Sequence, residues 1–435
     1  MYLFFLTLFN YRGNTRTLLL LILSLYSHVS VADVIRVDPE ADLQAILDVA
    51  KEGDTISLME GVFYGNFIIT QAVTVNGHQK AVIDAQGRGH GLLLKSGNVV
   101  IEELTIINWG DDLTEQNAGI YLDARVSNII IRNNTLRGPG FGVWLQKGKD
   151  INVVGNTIKG DPSLRSSDRG NGIQLSVVKN VEVIGNEISD TRDGIYIISS
   201  QDNIIDKNVM HDLRYGIHYM YSHSNKIEWN VVYQARAGYA LMSSKSLIVE
   251  NNISRDCEDY GILMNFITSS TIRHNTVKNI VTKPENKVIG RDGKGFFIYN
   301  SYNNVISHNI IENAEIGFNL TAGSENNNIF NNAFINNRQQ VKFVANRLEK
   351  WSLNGQGNYW NNYLGWDLNQ DGIGDTPFKP NDGIDKLIWQ YPETQILINS
   401  PAILMLRWIQ AQFPLFQSQG IQDDFPMMQF NSPYP

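Results

Sequence analysis

An asparagine recurs along this chain at Asn134, Asn156, Asn186, Asn208, Asn230, Asn252, Asn275, Asn309 and Asn332, with spacings of 22, 30, 22, 22, 22, 23, 34 and 23 residues. A glycine that opens an apolar alternation follows eight residues later, once nine, as in Gly142-Val143, Gly194-Ile195, Gly216-Ile217, Gly238-Tyr239, Gly261-Ile262 and Gly317-Phe318. In the two long repeats this offset grows to 16 at Gly172 and 20 at Gly295, so the extra residues enter at one point of the repeat. A unit this short cannot bury its own apolar face and has to stack on its neighbours, so the chain is a solenoid whose insertions leave one edge as loops.

A period near 22 also suits a leucine-rich repeat. The leucine scaffold is missing here, and the Ile, Val and Asn content favours strands over helices. The expected fold is therefore all-β, a right-handed parallel β-helix of about ten coils with three short strands per coil. Each repeating asparagine is expected at a turn, where Asn tolerates the left-handed backbone region and stacked amides hydrogen-bond from rung to rung. At the N-terminal end, Asp38 followed by Pro39 reads as an N-cap and first-turn pair, and Leu43, Ile46, Leu47 and Ala50 fall on one helical face that covers the open end of the stack. The expected organisation is a signal peptide at 1–32, an N-terminal cap and first coils at 33–110, regular coils at 111–345, a coil end with an Asp/Asn-rich loop at 346–395, and a C-terminal helix and tail at 396–435.

The first 32 residues hold Arg12, Arg16, no acid, an apolar run from Leu18 to Leu25, and Ser30-Val31-Ala32, an A-x-A-like cleavage site. The run is shorter than the roughly 20 residues a spanning helix needs. This reads as an export signal, with a mature chain from Asp33. Its removal takes the formal net charge from −8 to −10, which disfavours a nucleic-acid partner. The single cysteine, Cys257, has no internal disulfide partner, so stability has to come from packing.

If the residue after each coil glycine points inward, the second and fourth after it point outward. Two outer columns follow: Trp144, Gln174, Tyr196, His218, Ala240, Leu263, Phe297, Asn319, and beside it Gln146, Ser176, Ile198, Met220, Met242, Asn265, Tyr299, Thr321. Neighbouring coils lie about 4.8 Å apart, so His218, Met220 and Met242 bring an imidazole and two thioethers toward one exposed spot. Such soft donors suit Cu(I). The same stripe also fits simple packing under a loop or against a partner. His211 and His223 lie nearby as turn residues, and His274 and His308 occupy equivalent positions one coil apart.

After Gln340 the repeat fades. Asp367, Asn369, Asp371, Gly372 and Asp375 match positions one, three, five, six and nine of an EF-hand loop, whereas position twelve is Phe378 instead of glutamate. Calcium and a metal-free polar capping loop both fit. Residues Pro401 to Phe413 form a short apolar helix candidate, too short to span a bilayer, with Leu406, Ile409 and Phe413 on one face. It either folds back on the β-helix or docks onto a membrane-embedded partner.

Three segments carry a more specific signal: Arg214-Tyr-Gly-Ile-His218-Tyr-Met220-Tyr-Ser-His223-Ser-Asn225, then Gly357-Asn-Tyr-Trp-Asn-Asn362 leading into Asp367 to Asp375, and Ser400-Pro-Ala-Ile-Leu-Met-Leu-Arg407. In these, and along essentially the whole chain after the signal peptide, the sequence resembles the NosD family of periplasmic maturation proteins of nitrous oxide reductase. The resemblance implies a non-catalytic periplasmic subunit working with an ABC-type membrane permease and its ATPase, a copper donor protein and nitrous oxide reductase. It also implies that the helix at Pro401 to Phe413 contacts the permease. Rival readings are a polysaccharide lyase or epimerase, and a carbohydrate-binding repeat protein with Trp144, Tyr196 and Phe297 as its platform. Apolar and amide-rich columns and the negative net charge argue against an enzyme acting on polyuronate.

Overall fold

A computed structural model describes residues 32–288, 290–321, 323–345, 347–397, 400–412 and 419–430. The signal-peptide reading through Val31, and Phe413, lie outside the described residues.

The chain winds as a parallel β-helix. In a typical coil the strands are Lys179–Ile184, Glu187–Ser189 and Asp193–Ile198, each paired in parallel with its counterpart one coil on. One face is a 13-stranded parallel sheet. The other two faces run into one another through the long strands Val209–Met220 and Val231–Lys245 and form a 23-stranded sheet. The stack is thus longer than the ten or so coils the Asn repeat suggests, because strands from Val34 onward already form rungs without the repeat asparagine. Leu104 stands where Asn134 stands one coil later.

Val143, Ile173, Ile195, Ile217, Tyr239, Ile262, Phe296 and Phe318 all point into the core and are fully buried. At each coil's glycine the backbone passes so close to the next coil that a side chain has no room. A Cβ on Gly261 would lie 2.2 Å from Val277 Cγ1 and 2.6 Å from the Gly295 carbonyl oxygen. Overpacking of this kind costs about 1–3 kcal/mol. Gly261→Ala is therefore expected to lower the free energy of unfolding by about 1–3 kcal/mol, read from urea titration, with the far-UV spectrum unchanged.

The asparagine ladder differs from expectation in one respect. The ladder residues themselves are buried, and the residue before each one takes the left-handed conformation: Asn133, Gly155, Gly185, Lys207, Trp229, Asn251, His274, His308 and Asn331. The ladder amide turns inward because it has a stronger use there. Asn208 Nδ2 donates to Asn230 Oδ1 (2.9 Å), Asn230 Nδ2 to Asn252 Oδ1 (3.0 Å), and each Oδ1 also accepts the backbone N–H of the preceding ladder asparagine.

Both ends are closed. The N-terminal helix, Leu43–Val49, buries Leu43 and Leu47; its cap is Asp42, whose side chain accepts from Ala45 N, and not Asp38, whose carbonyl closes a turn with Ala41. At the other end a returning strand, Ile421–Gln422, pairs with Glu349–Lys350. Asp423 there accepts from Asn358 N (2.7 Å) and Trp360 Nε1 (2.8 Å), which ends the asparagine ladder on a carboxylate. Burial pushes that carboxyl above its ordinary range, with the Trp360 and Asn358 hydrogen bonds opposing. Inserted segments leave the stack between corresponding strands, after Thr157–Lys159 and after Thr276–Lys278, as the single insertion point predicts.

Candidate functional site

Parallel pairing aligns both outer columns as the sequence suggests. Tyr196 pairs with His218 and His218 with Ala240, while Ile198 pairs with Met220 and Met220 with Met242. Met242 in turn pairs with Asn265, and Asn265 with Tyr299. His218, Met220 and Met242 therefore stand on two successive coils of one face.

The expectation of an exposed spot needs correction at His218, which is only 8% exposed; Met220 and Met242 are half-buried. Large neighbours from the same and the preceding coil cover the imidazole. Tyr196 and Tyr215 meet it edge-on, with ring centroids 4.5 and 5.2 Å away. Beneath it lies a fully buried carboxylate that sequence reasoning passed over, Asp193. Arg214 grips it with two donors, Nε to Oδ1 (2.8 Å) and a terminal nitrogen to Oδ2 (2.6 Å), and His218 Nδ1 lies 2.9 Å from Oδ2. Burial pushes the Asp193 carboxyl upward, but the hydrogen bonds from His218 and Arg214 outweigh it and hold the group below the ordinary aspartate range. An ionised carboxylate only accepts, so the proton between them belongs to Nδ1. That leaves Nε2 as the imidazole's lone-pair donor, the same orienting arrangement that carboxylates impose on metal-ligating histidines. The Tyr196 hydroxyl donates to Met220 Sδ (3.2 Å), which fixes the thioether beside the ring.

Other candidates fall elsewhere. His211 stacks on Tyr233 (4.8 Å) and contacts Asp212, and His223 Nδ1 accepts from Lys245 N. His274 and His308 stack 4.9 Å apart at the left-handed corner. In the Asp/Asn-rich loop the acids serve the loop's own amides: Asp367 accepts from Asp371 N and Gly372 N, Asp371 from Ile373 N, and Asp375 from Leu368 N, while Asn369 donates to Asp371. Among the described residues no group of three or more His, Cys, Asp or Glu is arranged to hold a metal ion.

The charges of the inserted loops are largely spent internally, with Lys283 on Glu258, Lys287 on Glu315 and Arg291 on Asp259. The C-terminal helix, Pro401–Gln412, is tied by Arg407 to Asp382 and Asp385 of the preceding helix, Gly383–Gln390, and its N-cap. Leu406, on the face that either folds back or docks, is 46% exposed, and Leu404, Met405 and Trp408 are exposed as well. Arg407 faces the preceding helix through these ion pairs, and Ile403 and Ile409 are half-buried with it. No helix among the described residues is long and apolar enough to cross a membrane.

Fold and site together define a parallel β-helix protein with a buried His–Asp–Arg cluster under a thioether-bearing outer face. Solved structures of similar shape include the A-module of a mannuronan C-5 epimerase from Azotobacter vinelandii (TM-score 0.52, 14% identity, 69% of this chain and 90% of that one). Another is a family 28 exopolygalacturonase from Yersinia enterocolitica (TM-score 0.54, 13% identity, 72% and 75%). At such identities the likeness is one of fold alone. Residues 48–164 match the right-handed β-helix region, and residues 154–365 match the family described as periplasmic copper-binding protein (NosD). Two relatives carry the name "Probable ABC transporter binding protein NosD". That of Stutzerimonas stutzeri is 46% identical over 374 residues, 85% of this chain and 86% of the relative. That of Pseudomonas aeruginosa is 49% identical over 381 residues, 87% and 89%. The chain belongs to the NosD family.

Proposed function

We propose that this chain is the periplasmic accessory subunit of an ABC-type complex, and that it assists copper delivery to nitrous oxide reductase during maturation of its copper centres. The observation that carries the reading is the register of Met220 on Met242, beside an imidazole whose Nδ1 is held by Asp193. Two thioethers and one imidazole nitrogen are soft donors that suit Cu(I), and three such donors release the ion more readily than a closed four-ligand cage. In this reading a copper donor protein loads the site and the apo-reductase unloads it. The C-terminal helix, with Leu404, Met405, Leu406 and Trp408 turned to solvent, rests on the permease, whose ATPase-driven movement reaches the β-helix through that contact.

The test is an anaerobic Cu(I) competition titration of the mature chain beside a Met220→Ala, Met242→Ala double variant. Stoichiometric binding by the wild type that weakens at least tenfold in the variant is the expected result. Equal binding by both would remove copper from this face. For the membrane contact, deletion of residues 401–413 is expected to abolish co-purification with the permease, and unchanged co-purification would refute it.

A further inference from the structure

Two to four rungs beyond Met242, on the same side of the stack, stand two lysines with few partners, Lys294 on the second rung and Lys342 on the fourth. Lys294 lines a cleft with Arg236, Asp259, Tyr260, Arg291 and Asp292. The two acids of that cleft are already engaged, Asp259 by Arg236 and Arg291, and Asp292 by Arg338 and Lys287. Lys294 Nζ donates to the Asp292 carbonyl (2.7 Å) and sits over the rings of Tyr260 (5.4 Å) and Phe297 (5.9 Å). Lys342 lies in the first outer column, paired through Asn319 to Phe297. Lys342 is half-buried, and its ammonium group has no hydrogen-bond or ion-pair partner among the described residues. Burial pulls the ammonium groups of both lysines below the ordinary lysine range, the Lys342 charge adds to the effect at Lys294, and Asp292 only partly opposes it.

A desolvated cation without a counter-ion is costly, and the natural remedy is an anion that accepts from it. We propose that Lys294 and Lys342 form a carboxylate-binding site for an acidic segment of the protein that docks on this face. The site deepens the copper-transfer reading and rests on it for the identity of that partner as a protein exchanging metal here. Three features favour a protein segment over an acidic sugar. The rim carries exposed aromatic side chains, Phe266 and Tyr299, in edge contact at 5.8 Å, of the kind that protein interfaces use as anchors. The chain's net charge of −8 repels a long polyanion while a local cationic site still admits one or two carboxylates. Lys342 lies roughly 19 Å from Met242 at about 4.8 Å per rung, within the footprint of a single partner.

The experiment is an anisotropy titration of a fluorescein-labelled hexaglutamate peptide on the full mature chain, on Lys342→Gln and on Lys342→Arg, with unlabelled trigalacturonate as competitor. The expected result is salt-sensitive binding by the wild type, weakened at least fivefold in Lys342→Gln, retained in Lys342→Arg, and poorly displaced by trigalacturonate. Absence of peptide binding, or binding indifferent to Lys342→Gln, would overturn the site. Displacement by trigalacturonate at lower concentration than by unlabelled hexaglutamate would reassign it to an acidic sugar. Cu(I) stoichiometry of Lys342→Gln is expected to equal that of the wild type. A parallel loss would make Lys342 part of the metal site and sink the carboxylate assignment, whereas peptide binding without any copper binding by the wild type would leave the carboxylate site standing and refute the metal reading alone.

Discussion

Replacing Asn230 with Ala is expected to lower the free energy of unfolding by about 4 kcal/mol, read from urea titration. Asn230 sits in the middle of the ladder. Its Oδ1 accepts from Asn208 N (3.0 Å) and Asn208 Nδ2 (2.9 Å), and its Nδ2 donates to Asn252 Oδ1 (3.0 Å), Ile205 O (2.9 Å) and Glu228 O (2.9 Å). Truncation strands two buried N–H groups on Asn208 and takes one donor from each of three carbonyl oxygens, in a place where each orphaned group costs about 1–3 kcal/mol. Because each coil contacts only its neighbours, damage at the centre also uncouples the two halves of the stack. A broadened or split transition should accompany the loss. The same change at Asn134, whose upstream neighbour is Leu104, strands one backbone N–H there and should cost less. A loss at Asn230 smaller than 1 kcal/mol would show that the ladder is ornamental.

The second large effect is expected at Asp193. Asp193→Asn removes the charge that holds Arg214 and orients His218, and breaking a buried pair in this way costs about 3 kcal/mol. The dependence on pH has a definite sign. The folded-state pKa of Asp193 lies below the ordinary aspartate value of 3.8, so its stabilisation is fully present above that pH and is lost as pH falls through the lower, folded value. Wild type and variant should therefore differ most near neutrality and converge in acid, below pH 3.8. Under the proposed function the same variant should also bind Cu(I) about 10–100-fold more weakly, as loss of an orienting carboxylate does at other metal sites. A pH-independent stability gap would mean that Asp193 packs without carrying charge.

Why some of this was legible in the sequence and some was not follows from range. A parallel stack turns sequence spacing into spatial register, so the fixed offset from each ladder asparagine to its glycine is enough to place Met220 beside Met242. Burial was less accessible. Whether His218 is covered depends on how Tyr196 and Tyr215 lean from the same and the preceding coil, which spacing does not encode. Asp193 did leave a trace: it is an acid immediately before a coil glycine, where the registered residues on following coils are Tyr215, Ala237 and Tyr260. Its partner, Arg214, lies 21 residues on, one coil away. The left-handed corner fell one residue from its expected place because an amide that tolerates that conformation gains more by turning inward to its neighbours. Closure by Asp423 was out of reach, since it joins Asn358 across 65 residues with no period to guide the pairing.

The unbroken register has one more consequence. Insertions leave at a single corner, so loops can lengthen without changing the pitch of the stack. The interval between the thioether pair and the lysine cluster is then a whole number of rungs, and it changes only in steps of about 4.8 Å, when a complete coil is gained or lost. Such a molecule is a graduated ruler. A partner that touches both marks has to carry its own two contacts at a matching interval, and a relative with one coil more between them would require a partner cut to the next graduation.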